Sequence, residues 1–388
     1  MEENRGRASA LLPIGVFLVI FLGAGIITGD FYAMPAIVAF LAALFVAFLQ
    51  DRKHDFNEKI HIIAQGVGDD NIITMCLIFL AAGAFSGAVT AAGGAESTVN
   101  FGLSILPAGV AVPGLFIIGC FISVSMGTSM GTIGALAPIA VQISEKTGFS
   151  MAICIGAVMC GAMFGDNLSM ISDTTIAAVK TQGCEMKDKF RENFLIVLPA
   201  AILTVVIFFL LTRNARFDLS TQLDYNLLQV LPYLVVLVGA LIGINVFLVL
   251  VGGTVLSLAV GVGTGTIVPA QMFQMVAEGP DGSGGIMGMY DITVISIVVA
   301  CIVALVKEMG GIHFILSFIR KRIRGKKGGE LGIAALALLV DLCTANNTVA
   351  IVMAGPIARE ISEEYEIEPR RSASLLDMFT SVGQGLIP

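Results

Sequence analysis

The chain has no tryptophan, and only three of its 388 residues are histidine. Charged side chains make up 13% and hydrophobic ones 56%, with a mean hydropathy of +0.91. So little charge excludes an ordinary soluble globular domain. Without tryptophan, any aromatic belt falls to tyrosine and phenylalanine, and Tyr32, Tyr233 and Tyr290 lie at segment ends where interfacial anchors are expected. The seven cysteines have no CxxC or other metal spacing and read as small apolar packing residues. His54, His61 and His313 are dispersed, which argues against a metal centre. No Ser/Lys or Ser/His pair is evident, so no enzyme is expected. The absence of alternating apolar and polar positions excludes a β-barrel, and nucleic-acid binding does not suit a chain this apolar.

What remains is apolar sequence. Thirteen apolar stretches run between residues 11 and 388, several long enough to cross about 30 Å of hydrocarbon and others short or split by glycine. They predict an all-α polytopic membrane protein of about 12–13 membrane segments. The first stretch is long, lacks a small-residue cleavage site and is followed at once by another, unlike a signal peptide. With residues 1–10 as a cytoplasmic N-terminus, 19 of the 22 basic residues fall in inside connections, Lys180, Lys187, Lys189 and Arg191 together in one of them. The run RKRIRGKK at 320–327 is one of these and reads as a topology determinant. The expected location is the bacterial cytoplasmic (inner) membrane, in contact with the lipid bilayer.

The octapeptide PIAVQISE at 138–145 returns as PIAREISE at 356–363, with six identities at an offset of 218. The chain therefore divides into a first membrane repeat at 11–212, a connecting loop at 213–228 and a second repeat at 229–388. Loop 92–108 has no Lys or Arg, whereas its counterpart at 307–330 is strongly basic, so the two halves are expected to be inverted relative to each other. Repeated, inverted halves mark many secondary transporters. The second half stops short of its match to the first, so a C-terminal truncation of about one crossing is expected.

Two runs place polar groups at membrane depth. The first, SMGTSMGT at 125–132, offers Thr128, Ser129 and Thr132. The second, GDNLSMISDTT at 165–175, offers Asp166, Asn167, Ser169, Ser172, Asp173, Thr174 and Thr175. A lone charge at mid-bilayer costs about 2.5–3.5 kcal/mol on insertion scales, so two acids demand a polar cavity. Glycine, serine and asparagine favour broken helices or re-entrant hairpins, whose freed backbone survives where it lines protein or water. Carboxylates, amides and hydroxyls together form the oxygen set that a small hard cation needs. The competing reading is a Ser/Thr/Asn network joining helices. In the second half, Asn346 and Asn347 align with Thr128 and Ser129, and Gln384 replaces Asp166, giving one charged and one neutral face. Asp341 reads equally well as an intramembrane acid or as a helix-end residue. GVGTGT at 261–266 has the glycine spacing of a phosphate loop but lacks its lysine, and reads as close helix packing.

On SMGTSMGTIGALAPIA at 125–140 and GAMFGDNLSMISDTT at 161–175, the chain resembles the NhaC-type sodium/proton antiporter family within the ion transporter superfamily. Gly165, Asp166, Ser169, Ser172, Asp173, Thr174 and Thr175 carry the match, and Met170 stands where the family usually has proline. The resemblance implies an inverted-repeat fold with broken helices meeting near the midplane. It also implies exchange of Na⁺ for H⁺ by alternating access, with Na⁺ held at Asp166 and Asp173. Burial disfavours the charged form of a carboxylate, so either ion can neutralise the site. No cofactor is expected beyond the transported Na⁺ and H⁺. The alternative is a Na⁺- or H⁺-coupled carrier of a small organic acid or amino acid. The absence of a cation inside either polar run favours the exchange of cations. A homodimer is compatible with either reading.

Overall fold

The computed structural model describes residues 7–386 except 31–33, 105–109, 148, 214–223, 243, 312–313, 315–324 and 345. Tyr32, His313, residues 320–324 of the basic run and most of the 213–228 connection lie outside the described residues. Among the described residues every regular element is helical. Six helices among the described residues are long and apolar enough to cross a membrane, and three shorter ones are apolar.

Helices α1 (Leu12–Thr28), α2 (Ala36–Gln50) and α3 (Phe56–Val67) are followed by α4 (Asp70–Ala91) and α5 (Gly94–Ser104). Then come α6 (Ala111–Met126), α7 (Ser129–Thr147), α8 (Met151–Leu168), α9 (Asp173–Gln182) and α10 (Met186–Thr212). The second half has α11 (Leu227–Leu241), α12 (Val246–Thr264), α13 (Met272–Glu278) and α14 (Tyr290–Glu308). It ends with α15 (Gly325–Thr344), α16 (Asn347–Glu364) and α17 (Pro369–Leu386).

The 218-residue offset reaches the helix ends. α7 begins at Ser129 and α16 at Asn347; α8 spans Met151–Leu168 and α17 Pro369–Leu386. The start signal is the same in both copies. Thr128 Oγ1 accepts from the Gly131 amide at 3.3 Å, and Asn346 Oδ1 accepts from the Val349 amide at 3.0 Å. Each is an N-cap satisfying one of the amide donors that a helix start leaves open.

The chain forms two compact units, each drawn from both halves. One comprises residues 1–77, 177–185 and 290–388; the other comprises 78–176 and 186–289. In the first, α15, α16 and α17 pack on one another, α1 lies against α15, and α14 packs on α2, α3 and α16. In the second, α6, α7 and α8 form the centre, with α5 and α10 packed against them. The core there includes Val112, Leu115, Ile122, Leu136 and Val158. Leu195, Ile202, Leu203 and Leu210 of α10 are exposed, as expected of a helix solvated by hydrocarbon. Tyr290 is half exposed and fits an interfacial anchor. Tyr233 does not: it is fully buried and meets Phe85 edge-on at 5.8 Å. α11 starts at Leu227, which places Tyr233 nearly two turns inside the helix rather than at its end.

Candidate functional site

The two polar runs form two adjoining breaks in the second unit. Gly127 interrupts α6 and α7 with φ 70°, a conformation that glycine adopts at little cost. Residues 169–172 interrupt α8 and α9, and Ser169 is extended, with ψ 137°. The breaks lock together. Ser169 Oγ donates to the Val124 carbonyl at 2.8 Å, and a Cβ on Gly127 would come within 2.7 Å of the Ile171 side chain. One turn earlier, Ser123 Oγ donates to the Ala162 carbonyl at 2.6 Å. Gly165 packs against the Cys120 carbonyl so closely that a Cβ there would overlap it. Small residues at this crossing let the two backbones approach.

Nearly every polar group expected on these runs is withdrawn from solvent. Asp166, Asn167, Ser169, Ser172, Thr174, Thr175, Ser129 and Thr132 are buried, whereas Asp173 and Thr128 are half-buried. Asp173 starts α9 and its Oδ1 accepts from the Thr174 amide at 2.9 Å. A carboxylate in a first helical turn faces the positive end of the helix dipole. Ser172 and Thr174 share a hydroxyl bond of 2.9 Å, and Thr132 Oγ1 donates to the Thr128 carbonyl at 2.9 Å. Their oxygens keep acceptor capacity, which a cation would use.

Two buried polar residues at this break escaped the sequence reading. Lys189 is 1% exposed, and its ammonium donates to the Asn167 carbonyl at 2.5 Å and to Thr175 Oγ1 at 2.8 Å. It therefore bridges both sides of the α8/α9 break. Asn193, one turn on, is fully buried and donates to the Asn167 carbonyl at 3.1 Å and to its side-chain oxygen at 2.7 Å. The sequence reading placed Lys189 in a cytoplasmic connection with Lys187 and Arg191, and found no cation within the polar runs. Within the runs that remains so, but α10 begins at Met186 and packs on α6 and α8, which carries Lys189 to the break. The available signal was the four-residue spacing of Lys189 and Asn193, which puts both on one helical face.

The neutral face predicted from the second half lies in the other unit. There Asn346 is exposed and Asn347 half-buried; both carboxamide oxygens accept backbone amides at the start of α16. Gln384 is half-buried near the end of α17. The structure thus groups Thr128, Ser129, Thr132 and residues 166–175 in one unit, and Asn346, Asn347 and Gln384 in the other. Among the described residues no cluster of three or more His, Cys, Asp or Glu could hold a metal ion in the manner of a resident cofactor. A sodium site of carboxylate, carbonyl, amide and hydroxyl oxygens is not of that type.

Comparison with known proteins adds to this geometry. A model described as the Na⁺/H⁺ antiporter family matches residues 8–213 and 220–388. The NhaC Na⁺/H⁺ antiporter of Alkalihalophilus pseudofirmus is 24% identical, covering 100% of this chain and 88% of the relative. The malate-2H⁺/Na⁺-lactate antiporter of Bacillus subtilis is 22% identical over 97% of this chain and 85% of its own length. The arginine/ornithine antiporter ArcD of Halobacterium salinarum is 22% identical over 100% of this chain and 85% of its own.

Proposed function

The chain belongs to the Na⁺/H⁺ antiporter family, and we propose that its exchange of Na⁺ for H⁺ runs through the α8/α9 break, with Asp166 and Asp173 as the ion-holding acids. The observation that carries this reading is the burial of Asp166, with Asn167, Ser169, Ser172, Thr174 and Thr175, at a break bridged by Lys189. Two carboxylates and one ammonium leave one net negative charge. A single Na⁺ or a single proton neutralises it, so binding is mutually exclusive. A neutral site crosses low dielectric far more readily than a charged one. Two nearby acids titrate as a coupled pair, so the proton belongs to the pair rather than to either residue. Thr128, Ser129 and Thr132 on the first break supply neutral oxygens.

Transport of a small cation across a lipid bilayer, rather than covalent catalysis, is the activity of this family's named relatives. The distribution of basic residues supports the bacterial cytoplasmic membrane with a cytoplasmic N-terminus. No cofactor beyond the exchanged ions enters the mechanism.

The test is Na⁺-driven pH change in proteoliposomes. Asp166→Asn and Asp173→Asn are each expected to abolish it, and full exchange by either variant would refute the assignment. A second reading is favoured by the buried Lys189 ammonium and by relatives named for malate, lactate, arginine and ornithine. In it the same acids hold a coupling ion while a small organic acid or amino acid is carried. Against it, the ammonium already donates to Asn167 and Thr175. Uptake of labelled organic acids and amino acids, gated by Na⁺, separates the two.

A further inference from the structure

α15 and α17 lie side by side and run in the same direction. Arg371 pairs with Glu330 at 3.5 Å near their starts, and Asp341 meets Gly383 near their ends. Eleven residues on one helix and twelve on the other separate these contacts. At 1.5 Å per residue, Asp341 therefore lies about 16–18 Å from the charged end. That is near the middle of about 30 Å of hydrocarbon.

Asp341 is fully buried, and neither carboxylate oxygen has a hydrogen-bond partner among the described residues. A buried carboxylate without partners is costly when ionised and calls for a cation or a proton. Among the described residues, the helices packed most closely against α15 bring no cation to it. α1 has no charged residue. On α16 the first charge is Arg359, twelve residues past the helix start and paired with Glu363. On α17, Arg370 and Arg371 sit at the far end, beside Glu368 and Glu330. On one side of Oδ2 the Gly383 backbone stands so close that a Cβ there would overlap that oxygen. A proton needs no coordination shell.

Buried polar residues also recur along α17, the helix whose Gly383 meets this acid. Ser374, Asp377 and Thr380 recur every three residues along α17 between Arg371 and Gly383, and each is 0% exposed. Each three-residue step falls about 60° short of a full turn, so the row winds around α17 as it climbs towards Gly383. Buried acids in series with hydroxyls are the usual parts of an intramembrane proton relay.

We propose that Asp341 is a second proton-carrying acid, loaded along α17 through Asp377 and distinct from the acids of the α8/α9 break. The proposal rests on the exchange reading given above. In the loading step a proton from water at the Arg371 end passes to Asp377 and then to the Asp341 carboxylate, giving a neutral acid; unloading reverses it. The cycle then moves more protons than sodium ions.

The test uses the intact protein in proteoliposomes, with the H⁺:Na⁺ ratio taken from reversal potentials and sodium binding taken from ²²Na⁺ counterflow. The wild type is expected to give a ratio of about two, and Asp341→Asn about one with counterflow retained. An unchanged ratio in Asp341→Asn, a wild-type ratio of about one, or loss of counterflow in Asp341→Asn would each overturn the proposal. Infrared difference spectra supply a readout independent of transport. Acidification should add a protonated-carboxyl band in the wild type that Asp341→Asn lacks, and identical spectra would overturn the proposal. Failure of the first site registers separately, as exchange surviving Asp166→Asn.

Discussion

At Gly165-Asp166-Asn167 the first half carries an acid, and at the matching Gly383-Gln384-Gly385 the second half carries an amide. The backbone frame around them is nevertheless shared. α8 and α17 have the same length at a constant offset, and Thr128 and Asn346 cap the following helices through equivalent amides. Among the described residues, the buried acids of the second half stand elsewhere, at Asp341 on α15 and Asp377 on α17. Duplication fixed where helices start and stop, because caps and glycines act locally. Charge was then free to diverge, because an intramembrane acid is tolerated wherever it finds a proton, a cation or a polar lining. One frame can thus hold a cation at one copy and a proton at the other.

Substitutions at paired positions test this comparison. The largest contrast is in transport. Asp166→Asn should slow Na⁺-driven proton movement at least about a hundredfold, equivalent to about 2.7 kcal/mol. Gln384→Ala should cost about tenfold or less, since it removes a neutral side chain. Equal losses measured by vesicle pH would erase the asymmetry between the halves.

Next in size are the buried clamps. Lys189→Met leaves the Asn167 carbonyl without its charged donor and should lower unfolding stability by about 3 kcal/mol. In the other unit, Gln182 donates to the Gly355 carbonyl at 2.8 Å and accepts from Ser372 at 2.7 Å, both neutral bonds. Gln182→Leu should cost about 1–2 kcal/mol. Denaturation of the two variants in detergent ranks them.

The matched glycines come third. Gly165→Ala meets the Cys120 backbone carbonyl, which cannot swing away, and should destabilise by about 1–3 kcal/mol. Gly383→Ala meets the Asp341 side chain, which can rotate, and should cost less while disturbing proton coupling. A stability loss larger for Gly383→Ala would show the Asp341 carboxylate to be immovable.

Smallest are the caps. Thr128→Ala and Asn346→Ala should each cost about 1 kcal/mol, and by similar amounts. Unequal melting shifts would mean that the shared frame is only superficial.

The helical fold and both breaks were legible because their signals are local: apolar length, and clusters of glycine, serine and asparagine. The matching helix ends were legible from one repeated octapeptide. Lys189 was not, because Lys187, Lys189 and Arg191 alternate with other residues and read as a hydrated connection. Its burial depends on α10 starting at Met186 and on which face meets α8. Tyr233 misled for the same reason, since α11 begins earlier than its apolar run suggested. Asp341 could be read either way, and only the packing of α17 against α15 places it in the interior. Each miss turns on which face a helix presents to its neighbour, and apolar length does not encode that.

Sodium binding to the purified protein tests the central claim most directly, read as the rise in unfolding midpoint with added Na⁺ against K⁺ at equal ionic strength. The wild type should gain stability with Na⁺ alone, about 2.7 kcal/mol at a hundred times the dissociation constant, and Asp166→Asn should gain none. A variant that stays folded and is stabilised by Na⁺ as much as the wild type would show that Asp166 does not hold the cation.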